Sequence, residues 1–294
     1  MDDLEHISPQ MYSQEITRQH RTAFIIALDR SGSMQESVRF GQKSMSKAEA
    51  VAIIANALIT ELIDRCRRTD SLRNYYDLAV VGYSNDKVEM LLGGDGMVSV
   101  SELEKLKPRQ RILSDEQQLS PDNATIFQHS LSEWFAPHAE GNTPMYEALL
   151  KVRDLAAEWC AKSENRQSFP PVVINITDGE ASDCDDNELR DVCSQIKRIA
   201  TDDGGVLLIN IHISTDLTLP ATIFPMPDEL VGAGRYLRLL AECSSVMPSA
   251  FDSAICEMKG RGATPPFFAV GYNASIIELL SIVNIGSRSV TNMQ

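Results

Sequence analysis

The sequence predicts an α/β fold: a doubly wound, mostly parallel central sheet with helices on both faces and one antiparallel edge strand. Apolar runs of strand length, at residues 24–28, 172–177 and 206–213, are typical of parallel strands that are covered on both faces. An amphipathic helical pattern follows each run along the chain. Alternating buried strands and helices are typical of a doubly wound layered fold.

The chain length fits one enlarged domain. With 294 residues, the chain is longer than an average domain but compatible with a single α/β domain that carries an insertion. We predict an N-terminal tail at residues 1–20, one domain at 21–285 with an insertion at 93–140, and a C-terminal tail at 286–294.

The amino-acid composition limits which kinds of partner the protein is expected to bind and in which cellular compartment it is expected to lie. Lys and Arg number 27 against 41 Asp and Glu, and the formal net charge of −14 disfavours nucleic acid and anionic membranes as main partners. No apolar run approaches the roughly 18 residues of a membrane span, and the chain opens with a stretch too polar for a secretory signal. The 6 cysteines include no C-x-x-C pair, which indicates reduced, structural thiols. We therefore expect a cytoplasmic protein.

Local periodicity predicts the remaining elements in chain order. Strand patterns at 75–83 and 87–92 are separated only by residues 84–86, a turn too short for a crossover, so we expect an antiparallel hairpin at one sheet edge. A last strand is predicted at 267–270. Apolar residues at helical spacing predict helices at 48–63, 146–156, 189–199, 230–243, 249–258 and 274–285.

Residues 93–140 interrupt the alternation of predicted strands and helices. The segment is mostly polar, with short apolar stretches at 98–106 and 126–135, and it is longer than an ordinary connection. It either rims a functional face or is a surface decoration. Trp134 and Phe135 within it are more typical of local core than of a partner-binding surface.

Oxygen-bearing side chains follow the first buried strand. Asp29, Ser31 and Ser33 come at alternate positions, and Gly32 between the serines lets the backbone turn so that the three side chains face one side. Magnesium prefers hard oxygen ligands of this kind, in octahedral geometry. The turn therefore predicts part of a magnesium site.

Two later segments are candidates to complete that site. Thr143 precedes a helical pattern, which leaves its hydroxyl free to point outward. Asp178 follows the strand at 172–177 and supplies a second carboxylate at a strand end. In open α/β sheets, ligands bind at the carboxyl ends of strands where the strand order reverses. We expect the strands that precede Asp29 and Asp178 to flank that point.

Together these segments resemble the metal-ion-dependent adhesion site (MIDAS) of the von Willebrand factor type A (VWA) domain family, which has a Rossmann-like fold. The resemblance covers roughly residues 20–285 and favours the stand-alone, cytoplasmic prokaryotic type. The motif positions that match are Asp29-x-Ser31-x-Ser33, the Gly-x-Thr143-Pro loop and Thr177-Asp178-Gly179.

The resemblance implies roles for these residues. The serines and the threonine would contact the metal directly or through water, the aspartates would act mostly from behind them, and one coordination position would stay open for a partner. The implied metal residues are Asp29, Ser31, Ser33, Thr143 and Asp178, and the implied partner-binding rim is Arg30, Met34, Asn142, Gly179 and Glu180. The loops expected around the metal face are residues 35–42, 93–140, 178–187 and 215–228.

The implied function is a metal-dependent protein-binding module rather than an enzyme, with no catalytic residue assigned. Mg²⁺, with Mn²⁺ or Ca²⁺ as alternatives, would hold an acidic residue of a protein partner. Chains of this type resemble accessory or scaffold subunits of bacterial stress-response or ATPase-linked systems, so a separately encoded ATPase or a kinase and phosphatase pair is expected. A metal-dependent hydrolase is one alternative, which would need a general base that the motif lacks. An RNA-associated protein is another, which the acidic balance disfavours.

Three further expectations concern single residues or short segments. His212 lies inside an apolar run without a second histidine at ligand spacing, so we interpret it as structural. The acidic residues at 181–187 lack the EF-hand pattern and are interpreted as a solvated loop and helix start. The Asp29 carboxylate is expected at a solvent-facing rim, so the Asp29→Ala variant is expected to stay folded.

Overall fold

The computed structural model describes residues 12–40, 43–69, 71–120, 123–214, 220–275, 278–279 and 281–283. The strands are β1 (Thr22–Asp29), β2 (Ser37–Phe40), β3 (Lys43–Ser46), β4 (Tyr76–Ser84), β5 (Lys87–Met90), β6 (Val98–Ser99), β7 (Arg109–Ser120), β8 (Asn123–Glu133), β9 (Val172–Thr177), β10 (Leu207–Ile213), β11 (Thr222–Ile223) and β12 (Val270–Ala274). The α-helices are α1 (Lys47–Cys66), α2 (Val100–Leu103), α3 (Met145–Ala161), α4 (Asp186–Arg198), α5 (Arg235–Cys243) and α6 (Asp252–Lys259).

The main sheet is mostly parallel and confirms the predicted fold class. Its strand order is β11-β12-β10-β9-β1-β4-β5, and β6 also pairs with β4. The five strands from β12 to β4 pair in parallel, whereas β5 and β6 run antiparallel to β4. Asn85 and Asp86 turn the β4–β5 hairpin with positive φ angles of 48° and 59°, as a two-residue hairpin turn requires. The opposite edge ends in β11, antiparallel to β12, which was not predicted because two residues carry no periodic pattern.

Strand β1 is covered on both faces. Every one of its residues is buried, and successive side chains point to opposite faces of the sheet. Phe24, Ile26 and Leu28 pack in one core cluster with α1 and α6. Ile25 and Ala27 pack in a second cluster with α3, α4 and α5. This two-sided burial explains why the strand is an unbroken apolar run.

Most predicted elements lie within a few residues of the observed ones, and the differences have local causes. Helix α5 begins at Arg235 rather than at residue 230, because Gly232 has a positive φ of 79° and Gly234 has a non-helical ψ of 156° at the N-cap position. The last strand is β12, a few residues after the predicted one, since two prolines at 265–266 hold the chain out of the sheet pattern there. Of the helix predicted at 274–285, the described residues 278–279 and 281–283 are helical.

Residues 93–140, which were predicted to be an insertion, contain β6, α2 and a long hairpin formed by β7 and β8, which is a two-stranded sheet of its own. The base of this hairpin is fixed to α1. The Asn56 side chain accepts a hydrogen bond from Trp134 N at 2.7 Å and donates one to Phe135 O at 3.0 Å. The rings of Trp134 and Phe135 pack against the core, which confirms their prediction as local core.

The predicted tails are described only in part. Residues 1–11 and 286–294 lie outside the described residues, so the domain boundaries stay predictions. Tyr12 packs against the domain: its ring lies 5.9 Å from that of Phe169, and its hydroxyl donates to Gly205 O at 3.1 Å. None of the helices in the described part of the chain combines the length and the apolar character that a membrane crossing needs.

Candidate metal centre

The candidate site lies where the strand order reverses. Strand β1 pairs with β4 on one side and with β9 on the other, and Leu28 is in register with Ile176. The carboxyl ends of β1 and β9 are therefore adjacent, and Asp29 and Asp178 stand at these ends. This arrangement agrees with the expectation that both strands flank the reversal point.

The first half of the site, which we call the inner half, consists of Asp29, Ser31 and Thr177. Asp29 Oδ1 accepts a hydrogen bond from Ser31 N at 2.9 Å, and Asp29 Oδ2 accepts one from the Thr177 hydroxyl at 2.7 Å. Asp29 is only 2% exposed, and burial raises the pKa of its carboxyl against the opposing effect of these hydrogen bonds. The expectation of a solvent-facing Asp29 is wrong, because the turn after β1 folds back over the carboxylate.

The second half, which we call the outer half, consists of Ser33, Asp178 and Lys47. The Ser33 hydroxyl donates to Asp178 Oδ1 at 2.6 Å, and its oxygen lies 3.1 Å from Ser31 Oγ in the inner half. Asp178 Oδ2 accepts a hydrogen bond from Lys47 Nζ at 3.0 Å. The Asp178 side chain is 0% exposed, so its carboxylate is paired with a cation inside the protein.

Lys47 is not among the residues predicted to form the site, although its position in the sequence carried a signal. Lys47 is the first residue of α1, whose N-cap residue Ser46 accepts a hydrogen bond from Glu49 N at 3.1 Å. The first turn of a helix favours acidic side chains because of the helix dipole. A lysine at this position is therefore expected to have a nearby acidic partner that compensates for its charge. Besides Asp178, Lys47 Nζ donates to Glu36 Oε2 at 2.7 Å, and the Lys47 side chain is 5% exposed.

The loop that carries Thr143 is held between strand ends. Gly32 N donates to Gly141 O at 2.9 Å, which joins this loop to the turn after β1. Ser182 N donates to Thr143 O at 3.0 Å, which joins it to the segment after β9. Gly141 has a φ of 69°, and a Cβ there would lie 2.6 Å from Asn85 Cβ, so this close approach requires glycine. The three segments predicted to form the site are thus brought together.

The donor chemistry of these residues fits a magnesium ion. Neighbouring ligands of an octahedral magnesium ion lie about 2.9 Å apart, given metal–oxygen distances of about 2.0–2.1 Å. The 3.1 Å distance from Ser31 Oγ to Ser33 Oγ is close to that value, and the hydrogen bond of 2.6 Å to Asp178 Oδ1 fixes the orientation of the Ser33 hydroxyl. Among the residues that the structure describes, no group of three or more His, Cys, Asp or Glu side chains could hold a metal. An ion at this site would therefore depend on hydroxyl oxygens.

Two of the predicted rim residues point away from the site. Met34 is 0% exposed, because the 3-10 helix Gly32–Gln35 turns its side chain into the core. The prediction that Met34 contacts a partner is wrong for that reason. The Arg30 side chain is largely buried, and its guanidinium pairs with Glu89 at 3.2 Å, on the edge strand β5.

The other predicted rim residues lie at the surface or just below it. Asn142 and Glu180 are exposed, and Gly179 is half-buried. Glu180 pairs with Arg235 at the start of α5, and Gly179 O accepts a hydrogen bond from the Tyr236 hydroxyl at 2.5 Å. The start of α5 therefore braces the loop that follows β9.

The loops around the site have more structure than predicted. Residues 35–42 were expected to be a loop, but β2 and β3 form an antiparallel hairpin there, with residues 41–42 outside the described part. In the acidic segment, Asp183 accepts hydrogen bonds from Tyr146 N and Glu147 N at the start of α3, and Asp185 caps α4. Within the loop predicted at 215–228, residues 215–219 lie outside the described part.

A network of buried, hydrogen-bonded polar side chains lies mostly on the strands that lead to the site. The Tyr83 hydroxyl donates to Asn175 Oδ1 at 3.0 Å, Asn175 Nδ2 donates to Asn210 Oδ1 at 3.0 Å, and Asn210 Nδ2 donates to Ser244 Oγ at 2.9 Å. The two asparagines interrupt apolar strands, and that interruption was the sequence signal for this network.

His212 stacks on Tyr272 with ring centroids 4.9 Å apart, and burial lowers the pKa of its imidazole, in agreement with its interpretation as a structural residue.

Comparisons with known proteins give similarity to solved structures only. No family model matches the chain, and no curated protein matches it. A von Willebrand factor type A structure from Catenulispora acidiphila is 14% identical over 66% of this chain and 34% of that one, with a TM-score of 0.41, so this chain spans about a third of its length. The VWA domain of SpRpn10 is 11% identical over 76% of this chain and 83% of that one, with a TM-score of 0.41. The vWF domain of the type V pili tip protein Mfa5 from Porphyromonas gingivalis is 14% identical over 55% of this chain and 39% of that one, with a TM-score of 0.31.

Proposed function

We propose that this chain is a VWA-type protein-interaction module that binds one divalent cation, Mg²⁺ in the first instance with Mn²⁺ or Ca²⁺ as substitutes. Ser31, Ser33 and Thr143 would hold the ion, with Asp29 and Asp178 behind them. The observation that carries the proposal is the short chain of oxygens from Ser31 Oγ through Ser33 Oγ to Asp178 Oδ1 at the reversal point of the sheet.

The residues of the site have separable tasks in this proposal. Both Asp29 oxygens are already engaged by donors of the chain, so Asp29 orients Ser31 and Thr177 rather than contacting the ion. Neutral hydroxyl ligands leave most of the charge on the ion, which when bound supplies a Lewis-acidic centre for an oxygen anion. A glutamate or aspartate of a protein partner, provided by a separately encoded ATPase, kinase or phosphatase, is the anion that we propose for the open position. We assign no reaction to the site.

Calorimetric titration of the chelated protein with magnesium chloride tests the metal site. We expect one site in the wild type and none in the Ser31→Ala/Ser33→Ala double variant, whose circular dichroism should match that of the wild type. Ser163→Ala, which changes an exposed serine of the 3-10 helix Ser163–Asn165, is the matched control and should bind as the wild type does. Binding by the double variant at the wild-type level would refute the proposed site.

Partner capture tests the second part of the proposal. Proteins retained from the native cell extract in magnesium, but released by EDTA, are the candidate partners. Changing the acidic residues of such a partner one at a time should identify one whose loss weakens binding by about 2 kcal/mol or more, as for an interface hot spot. Binding that ignores both EDTA and every partner acid would refute metal-mediated capture.

A further inference from the structure

Lys47 places a positive charge inside the candidate site. Its ammonium lies 3.0 Å from Asp178 Oδ2 and 2.7 Å from Glu36 Oε2, and its side chain is 5% exposed. The backbone strengthens this placement, since Lys47 N donates to Glu36 O at 2.9 Å. The charge is therefore built into the fold at the junction of the β2–β3 hairpin and α1, rather than carried by a mobile surface side chain.

This charge changes the electrostatic balance of a metal-loaded site. Two buried carboxylates, Asp29 and Asp178, and one buried ammonium leave a single net negative charge. A divalent ion converts that into a single net positive charge, whereas without the ammonium the loaded site would be neutral. Glu36 lies on the solvent side of Lys47, where water weakens the effect of its charge without removing it, because the side chain is 58% exposed but contacts the ammonium at 2.7 Å.

We propose that Lys47 is a specificity-determining residue that weakens the site for the free cation and makes the loaded site selective for an anionic partner group. This inference rests on the proposed function. The two effects have one cause: the ammonium repels the incoming cation, and it adds to the field that attracts a carboxylate once the cation is bound. Cation and carboxylate then bind cooperatively, each raising the affinity for the other by the same factor.

A purely structural Lys47, which only neutralises Asp178, makes a different prediction. Under both interpretations, removal of the ammonium lowers the stability of the chelated protein, because Asp178 loses its buried counter-ion. Only the charge role predicts tighter binding of the cation together with weaker coupling to a carboxylate. The combination of tighter cation binding and weaker coupling to a carboxylate therefore separates the two interpretations.

Calorimetry with manganese chloride, in the presence and absence of sodium acetate as the carboxylate probe, tests this role. We expect Lys47→Gln to bind Mn²⁺ at least about tenfold more tightly than the wild type, given how strongly charges interact at short range in a partly dehydrated site. The acetate-dependent gain in affinity should also be smaller in the variant than in the wild type. Lys47→Arg keeps the charge and should behave as the wild type does. Lys162→Gln, at an exposed lysine just after α3, is the control for loss of a remote charge.

A second variant keeps the test decisive where Lys47→Gln fails to fold. Glu36→Gln changes an exposed side chain and releases Lys47 from one of its carboxylates, so the site becomes more positive and Mn²⁺ affinity should fall severalfold. Equal or weaker Mn²⁺ binding by folded Lys47→Gln, or unchanged binding by Glu36→Gln, would overturn the inference about Lys47 alone. Absence of Mn²⁺ binding in the wild type, with and without acetate, would overturn the metal site itself and the inference with it.

Discussion

The inner and outer halves of the site hold their carboxylates in different ways. Asp29, in the inner half, is buried among neutral donors, the Ser31 amide and the Thr177 hydroxyl. Asp178, in the outer half, is equally hidden from solvent but is paired with the ammonium of Lys47. Two aspartates at the ends of adjacent parallel strands therefore depend on different partners for their stability.

The burial of a carboxylate therefore does not by itself show whether the carboxylate needs a positively charged partner. Desolvation penalises the ionised form of Asp29, which is why its pKa is raised, and an uncharged group of the same shape would relieve that penalty. Neutralising Asp178 instead leaves a buried ammonium with one carboxylate fewer. Four predictions test the comparison by the free energy of unfolding, measured in urea with EDTA present.

The largest effect is expected for Lys47→Met. The substitution keeps the length of the side chain but leaves the Asp178 carboxylate buried, with the Ser33 hydroxyl as its remaining side-chain donor among the described residues. We expect the free energy of unfolding to fall by about 3 kcal/mol, as for a buried ion pair that loses one member. Lys162→Met, at an exposed position, should change it by less than about 0.5 kcal/mol. A loss below about 1 kcal/mol in Lys47→Met would show that Asp178 does not depend on the ammonium.

A smaller loss is expected for Asp178→Asn. The amide removes the charge that faces Lys47, but the lysine keeps its contact with Glu36 at 2.7 Å. We expect the free energy of unfolding to fall by about 2 kcal/mol. If Asp178→Asn were as stable as the wild type, the charge of Asp178 would contribute as little to stability as we expect for the charge of Asp29, and the two halves of the site would not differ in this respect.

Asp29→Asn is expected to be nearly neutral, within about 1 kcal/mol of the wild type, because a desolvated charge is removed. The asparagine oxygen can accept from Ser31 N, and its NH2 group can donate to Thr177 Oγ1, whose own hydrogen can go to Gly179 O. Asp29→Ala should lose about 2 kcal/mol, because the buried Ser31 amide then lacks its acceptor and the Thr177 hydroxyl, which can still donate to Gly179 O at 2.9 Å, loses the carboxylate. The pair of variants separates the loss of charge from the loss of hydrogen bonds. Equal losses in the two would show that the charge of Asp29 itself stabilises the fold.

The smallest effect on stability is expected for Ser33→Ala. Ser33 is exposed, so in the variant water can replace its hydroxyl as the donor to Asp178 Oδ1, and the free energy of unfolding should change by less than about 0.5 kcal/mol. Under the proposed function, the same variant should lose magnesium binding in calorimetry. A stable variant that still binds magnesium at the wild-type level would remove Ser33 from the ligand set.

Local patterns were sufficient to predict much of the fold. The buried strands β1, β9 and β10 stand out as apolar runs, and the helices α1 and α3 as apolar stripes, because each pattern is contained within a few consecutive turns or residues. The β4–β5 hairpin was predicted for the same reason, since its short turn excludes a crossover. The small strands of the β2–β3 hairpin escaped prediction, because pairs of four-residue strands carry too few positions to show a period.

The sequence by itself determined the fold class and the set of oxygen-bearing residues at the strand ends, because buried parallel strands and sharp turns produce recognisable patterns within short stretches of consecutive residues. Only the tertiary structure decided the surroundings of those residues. It buried Asp29 under its own turn, directed Met34 into the core and brought Lys47, more than 100 residues away in sequence, against Asp178. Contacts of this kind depend on which loops and helix ends pack over a strand end, and that packing involves side chains far apart along the chain, so no local pattern reports it.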